Sequence, residues 1–245
     1  AWKKNRVEII RQVVDHLIVL FPFEVEFFKN EGIEAHCFGH PLIDLVRPSV
    51  DKEAFFKNAG FSEDKRLISL LPGSRTNELN NHMPLIVKTA EIISQSLPEL
   101  QFVLPIAPTT SKELIEQYTN ESSIEFKIIK NDTYNAVAHS DFALVTSGTA
   151  TLETAILGTP EIIFYKSSLL TYLIGKYIVK IKRVGLPNII AGREIVPEDP
   201  HFVSPEKIAN WALTYLNDTV AYNKIKEELA ALKADLGKPG AYENT

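Results

Sequence analysis

The sequence predicts an α/β fold: a Rossmann-like parallel sheet flanked by helices. From Lys65 onward, short β-branched or apolar runs alternate with segments of helical period, the pattern of repeated βα units. Two of those runs lead straight into loops of small, turn-forming residues, where open α/β sheets present their ligand sites. A composition of 45% hydrophobic and 23% charged residues, with 11 Gly and 14 Pro, fits a folded globular chain and disfavours disordered or fibrous classes.

The elements follow in order. The first stretch reads as a helix over residues 3–14, a strand over 17–20, a helix from Pro22, and then the segment 36–39. It starts as if in mid-domain. Residues 47–52, containing Pro48, form the expected connector, so 1–48 is expected to be the end of an N-terminal domain with its connector, and 49–245 a single Rossmann-like domain. Strands are expected at 67–71, 102–105, 126–129, 142–146 and 161–165. Ile86, Ala90, Ile93 and Leu97 recur at helical spacing between the first two, with Pro84 expected in the first turn of that helix. Residues 204–236 read as two amphipathic helices, the first capped by Ser204 and entered through Pro205.

Several function classes are disfavoured. A formal charge of -5 gives no global basic field to attract nucleic acid, so any anion site must be local. The single Cys37 cannot form an internal disulfide and suits a reducing cytoplasm. No apolar run approaches the roughly 18 to 20 residues of a membrane span, and the first residues lack the form of a signal peptide. No Asp-x-Asp, no zinc-ligand spacing and no lysine-containing phosphate loop occurs, so no metal is expected.

The first candidate site follows the strand at 67–71. Gly73 lets the backbone turn tightly, Ser74 is small, and Arg75 offers a planar fork of donors to phosphate. An ordinary βα turn with a solvated arginine is the competing reading. The second is Ser147, Gly148, Thr149 and Ala150, which open a helix and leave backbone N–H groups bare for a diphosphate. Glu153 lies one turn on. A capping box would need Ser or Thr where Ala150 stands, so a carboxylate accepting from the two hydroxyls of a ribose is favoured over decoration of the helix dipole. Residues 185–194, including Asn188, read only as a loop, and His40 reads as a structural loop histidine.

Trp2-Lys3, LFPFEVEFF, FGHPLID, LLPGSR, SGTATLE and LPNIIAGREIVPE stand in the order and spacing of lipid-A-disaccharide synthase, and the chain resembles the C-terminal part of that family. The resemblance implies the C-terminal half of a GT-B fold and inverting transfer from UDP-2,3-diacylglucosamine to 2,3-diacylglucosamine 1-phosphate, releasing UDP. It implies a cytoplasmic enzyme at the inner membrane face, with no cofactor beyond the UDP-sugar substrate, and leaves room for a homodimer of the full-length enzyme. By motif, Ser74 and Arg75 would lie near the donor phosphates, Ser147, Gly148 and Thr149 would cradle the diphosphate, Glu153 would hold the ribose, and Asn188 would lie at the donor end of the cleft. Arg75 and Asn188 are the residues expected to take part in catalysis.

The chain departs from the family in beginning near the end of the N-terminal domain, which carries acceptor-site residues. It also carries Asp199-Pro200-His201 where a Leu-rich continuation is usual, and ends before the family's final helix. The rival readings are another UDP-sugar enzyme of the same fold, such as a 2-epimerase or the peptidoglycan glucosaminyltransferase, and a nucleotide-binding fragment without turnover. Residues 168–184 combine seven large apolar side chains with Lys176, Lys180, Lys182 and Arg183, and are expected either to pack on the sheet or to dock on anionic lipid.

Overall fold

The computed structural model describes residues 4–165, 183–199 and 204–244. Residues 168–182 of the expected lipid-docking segment lie outside them. A six-stranded parallel sheet forms the centre, from β3 (Arg66–Leu71), β4 (Leu100–Ile106), β5 (Phe126–Lys130), β6 (Phe142–Thr146), β7 (Glu161–Phe164) and β8 (Glu198–Asp199). Their order is β5-β4-β3-β6-β7-β8. The chain therefore runs outward from β3 in one direction, returns, and runs outward from β6 in the other. The point of reversal lies between β3 and β6.

The strands are almost continuously apolar because both faces are covered. One face packs Leu70, Leu104, Phe142 and Phe164 against α5 (Thr76–Ser96) and α10 (Pro205–Asn217). The other packs Ile163 against α8 (Thr149–Leu157) and α11 (Thr219–Asp235). Ser204 caps α10 by accepting from the Lys207 N–H at 3.2 Å, and Pro205 occupies its first turn. Asp218 caps α11 through the N–H groups of Val220 and Ala221. Lys112–Thr119 (α6) and Thr133–Ala138 (α7) complete the βα series, and α9 is the short Leu186–Ile190.

The start of α5 differs from expectation, and β8 is a strand that the sequence pattern did not predict. Helix α5 begins at Thr76, about two turns before Pro84, which sits in its interior. An interior proline costs about 3 kcal/mol in a helix that stands alone. Here Leu79, Met83, Ile86, Ala90 and Ile93 are all buried on the sheet, and that burial outweighs the local cost.

Before the sheet, α1 (Lys4–Val13), β1 (Leu17–Ile18), α2 (Pro22–Asn30) and β2 (Ala35–His36) enclose a small core of Val7, Val19, Phe28 and Ala35, with β1 parallel to β2. After α3 (Leu42–Leu45), residues 47–51 lead into α4 (Lys52–Ala59). This first stretch is bound to the far end of the chain. The His40 N–H donates to the Leu236 carbonyl at 3.0 Å, and the Asp44 carboxylate accepts from the N–H groups of Gly240 and Ala241. His40 is buried, and its Nδ1 accepts from the Leu42 N–H at 3.2 Å. Burial pulls its pKa down against the opposing charge of Glu24, so the ring is neutral and structural.

Glu161 is an exception to the apolar strands. It is fully buried at the start of β7, and neither carboxylate oxygen has a hydrogen-bond partner. Burial pushes its pKa well above the usual carboxylate range, so the folded protein holds it protonated. A carboxyl whose folded pKa exceeds its unfolded value contributes full stability below about pH 4.3 and loses it as pH rises through the folded pKa. Glu161→Met is therefore expected to raise stability by about 1 to 3 kcal/mol at pH 8, with the gain shrinking toward pH 4.5. Urea unfolding at both pH values checks this, and a gain that does not change with pH would contradict it.

Candidate functional site

The sheet brings the two loops picked out in the sequence together. Strands β3 and β6 are neighbours in register, Leu71 beside Val145, so the loop after β3 and the start of α8 after β6 leave the sheet side by side at the point of reversal. The Thr146 hydroxyl locks the two ends by donating to the Leu71 carbonyl at 3.1 Å. In open α/β sheets this crevice is where ligands bind.

The β3 loop is tightly built. Gly73 has φ +106°, a conformation that disfavours side chains, and a Cβ there would lie 2.7 Å from Glu78 Oε2. Glu78 folds back from the first turn of α5 and accepts from the N–H groups of Ser74 and Arg75. Burial works to raise the Glu78 carboxyl, but these bonds together with the Arg75 guanidinium hold it below its ordinary value. Arg75 itself is 83% exposed and pairs with Glu78 at 2.7 Å. An exposed pair of this kind is worth about 0 to 1 kcal/mol, so the guanidinium can exchange it for a phosphate at little cost. Behind the loop, the buried His82 donates from Nδ1 to the Pro72 carbonyl at 3.1 Å. Its ring also lies against Phe164 and Tyr165 at the end of β7.

The β6 loop is arranged differently from the sequence expectation. Both donors of Ser147 are committed, its N–H to the Phe164 carbonyl and its hydroxyl to the Val184 carbonyl, each at 2.9 Å. Ser147 is a tie that holds the loop. The first N–H groups of α8, at Gly148, Thr149 and Ala150, have no carbonyl partner within the helix, the arrangement that suits an anion. Thr151 links that turn to the next segment, donating its hydroxyl to the Gly148 carbonyl and accepting from the Leu186 N–H. Gly148 is extended, and a Cβ there would meet nothing within 4 Å. The fold does not require glycine at this position. Glu153, half-buried on α8, accepts from the Tyr134 hydroxyl at 3.0 Å.

Asn188 is held differently from the expected position at the donor end of the cleft. It is fully buried in α9, its Oδ1 accepts from the N–H groups of Ile195 and Val196, and its Nδ2 donates to the Val196 carbonyl at 2.8 Å. With no exposed surface and those bonds made, it pins the segment before β8 and cannot touch a substrate as a catalytic group would. Reading residues 185–194 as a loop gave no hint of this, because the partners of the amide are set by the fold. Glu78, His82 and Tyr134 were likewise missed. The i, i+4 spacing of Glu78 and His82 is their one sequence signal, and it places them on one face only of a helix that begins as early as Thr76. Tyr134 carries no sequence signal, since its partner lies on another helix.

The family model for lipid-A-disaccharide synthetase matches residues 1–242. The chain belongs to the lipid-A-disaccharide synthetase family. Among its relatives are the lipid-A-disaccharide synthases of Syntrophus aciditrophicus (strain SB), 39% identical over 99% of this chain, and Persephonella marina, 38% identical over 100% of it. The chain spans 64% and 67% of the lengths of those relatives. Solved structures share the fold at low identity. An S. aureus MnaA–UDP co-structure matches with TM-score 0.65 at 15% identity, covering 96% of this chain and 60% of its own. WaaG, a glycosyltransferase involved in lipopolysaccharide biosynthesis, matches with TM-score 0.53 at 15% identity, covering 89% and 58%. The family's GT-B half is thus present as a parallel sheet flanked by helices. No helix among the described residues is long and apolar enough to cross a membrane, and none of their His, Cys, Asp and Glu side chains gather into a metal-binding group.

The two site glycines should behave oppositely. Gly73→Ala is expected to cost about 1 to 3 kcal/mol, from its backbone conformation and the collision with Glu78. Gly148→Ala should stay within about 0.5 kcal/mol of the parent, because its backbone is extended and the space is open. Thermal unfolding of both variants is the check, and equal losses would contradict the geometry.

Proposed function

We propose that this chain is the donor-binding half of a cytoplasmic hexosyltransferase that joins UDP-2,3-diacylglucosamine to 2,3-diacylglucosamine 1-phosphate with inversion, releasing UDP. In this reading residues 49–245 are the donor domain, and residues 1–48 are the end of the acceptor-side domain with its connector. The observation that carries it is the meeting of the Arg75 loop and the N-terminus of α8 at the reversal point of the sheet. Family membership supports this choice of substrates, as the relatives are lipid-A-disaccharide synthases. The acylated substrates would hold the reaction at the inner membrane face.

The chemistry follows from where negative charge develops. As the glycosidic bond to UDP breaks, charge grows on the leaving diphosphate, and donors fixed in advance stabilise that state more than the ground state. The N–H groups at Gly148, Thr149 and Ala150 are such donors, reinforced by the helix dipole. Arg75 supplies full charge once it leaves Glu78. No metal is needed in this scheme. Glu153 takes the ribose hydroxyls, and Ser147 and Asn188 keep the surrounding backbone in place.

Arg75→Ala is expected to weaken UDP binding by about 1.5 to 3 kcal/mol while leaving uridine binding unchanged, because only UDP carries the phosphates. Calorimetric titration of both ligands into both proteins tests this. Equal losses for UDP and uridine would remove Arg75 from the phosphate site.

A further inference from the structure

Glu153 is one helical turn into α8, and a carboxylate there, with free rotation about its side chain, would have to be ordered whenever a nucleotide binds. The Tyr134 hydroxyl already restrains it, donating to Oε1 at 3.0 Å. Tyr134 is itself held from several sides. Its ring packs partly buried at the edge of the core between β7, α8 and α11. The next residue, Asn135, is buried and accepts from the N–H groups of Ser49 and Val50 while donating to the Ser49 hydroxyl. One turn on, His139 donates from Nε2 to the Val50 carbonyl at 2.8 Å. Helix α7 is therefore a fixed mount, clamped to the connector on one side and reaching Glu153 on the other.

We propose that Tyr134 is the positioning residue of Glu153, its hydroxyl occupying Oε1 so that Oε2 is presented to the ribose hydroxyls of a bound nucleoside diphosphate. This rests on the ribose role of Glu153 given above. Fixing the carboxylate before binding removes an ordering cost that would otherwise fall on the complex. The phenol remains a donor throughout the physiological range, since burial and then the Glu153 charge push its pKa up to about 12. Each carboxylate oxygen carries two lone pairs, so Oε2 can still accept from two adjacent hydroxyls, and the site is selective against a sugar that lacks them.

The test compares UDP with 2′,3′-dideoxy-UDP on the parent chain, Tyr134→Phe, Glu153→Gln and the double variant. Tyr134→Phe keeps the ring packing and removes only the hydroxyl, and its thermal midpoint confirms folding. It should lower the preference for UDP over the dideoxy compound by about 3- to 10-fold, with affinity for the dideoxy compound unchanged. Glu153→Gln should remove most of the preference, and adding Tyr134→Phe to it should lower it no further. A Tyr134→Phe variant that keeps the full preference while Glu153→Gln loses it overturns the positioning role alone. A Glu153→Gln variant that keeps the preference overturns the ribose reading and the positioning role with it. Equal weakening of both ligands by Tyr134→Phe marks a packing role and overturns the proposal as well.

Discussion

The site rests on the pairing of β3 with β6, two strands separated by the whole excursion through β4 and β5. A parallel pair has no tight turn to set its register, so it must be fixed by other means. Side chains fix it along its length. At the near end the Asp141 N–H donates to the Leu67 carbonyl while the Asp141 carboxylate accepts from the Leu67 N–H, both at 2.8 Å. Further along, the buried hydroxyls of Ser69 and Ser140 meet at 2.6 Å. At the far end Thr146 reaches the Leu71 carbonyl. Each such bond contributes about 0.5 to 1.5 kcal/mol net, but a slip of one residue would turn every side chain to the other face and separate the two loops.

Buried amides do a related task away from the sheet. Asn135 gathers the connector at Ser49 and Val50, and Asn188 gathers the segment at Ile195 and Val196. In both cases one carbonyl oxygen accepts from two successive backbone N–H groups that have left regular structure. An amide suits this because it offers donor and acceptor together without charge, so burial carries no ionic desolvation cost. The polar groups with this supporting role are buried. Arg75, proposed to meet the ligand, is exposed and held by a weak pair.

That contrast also explains how α7 and α8 relate. The connector is fixed to α7, α7 presents Tyr134, and Tyr134 holds Glu153 on α8. These links are short and satisfied, and they cross between elements that carry no sequence signal of adjacency. A chain of packed, hydrogen-bonded groups of this kind gives the site its geometry before any ligand arrives.

The alternation of apolar runs with helical periods was enough, in the sequence alone, to give the α/β class, five of the six strands of the main sheet and the two C-terminal helices, because burial against a sheet imposes its period locally. The loops at Gly73 and Gly148 were legible for the same reason, standing where apolar runs end. The start of α5 was not, since Pro84 reads as a first turn until burial of the preceding residues outweighs its cost. Nor were the ties made by Ser147 and Asn188, or the partnership of Tyr134 with Glu153. Those depend on strand order, which sets β3 beside β6 and brings distant backbone within hydrogen-bond reach. Periodicity records which face of an element is buried, and only the assembled structure decides what that face, and each polar group beside it, will touch.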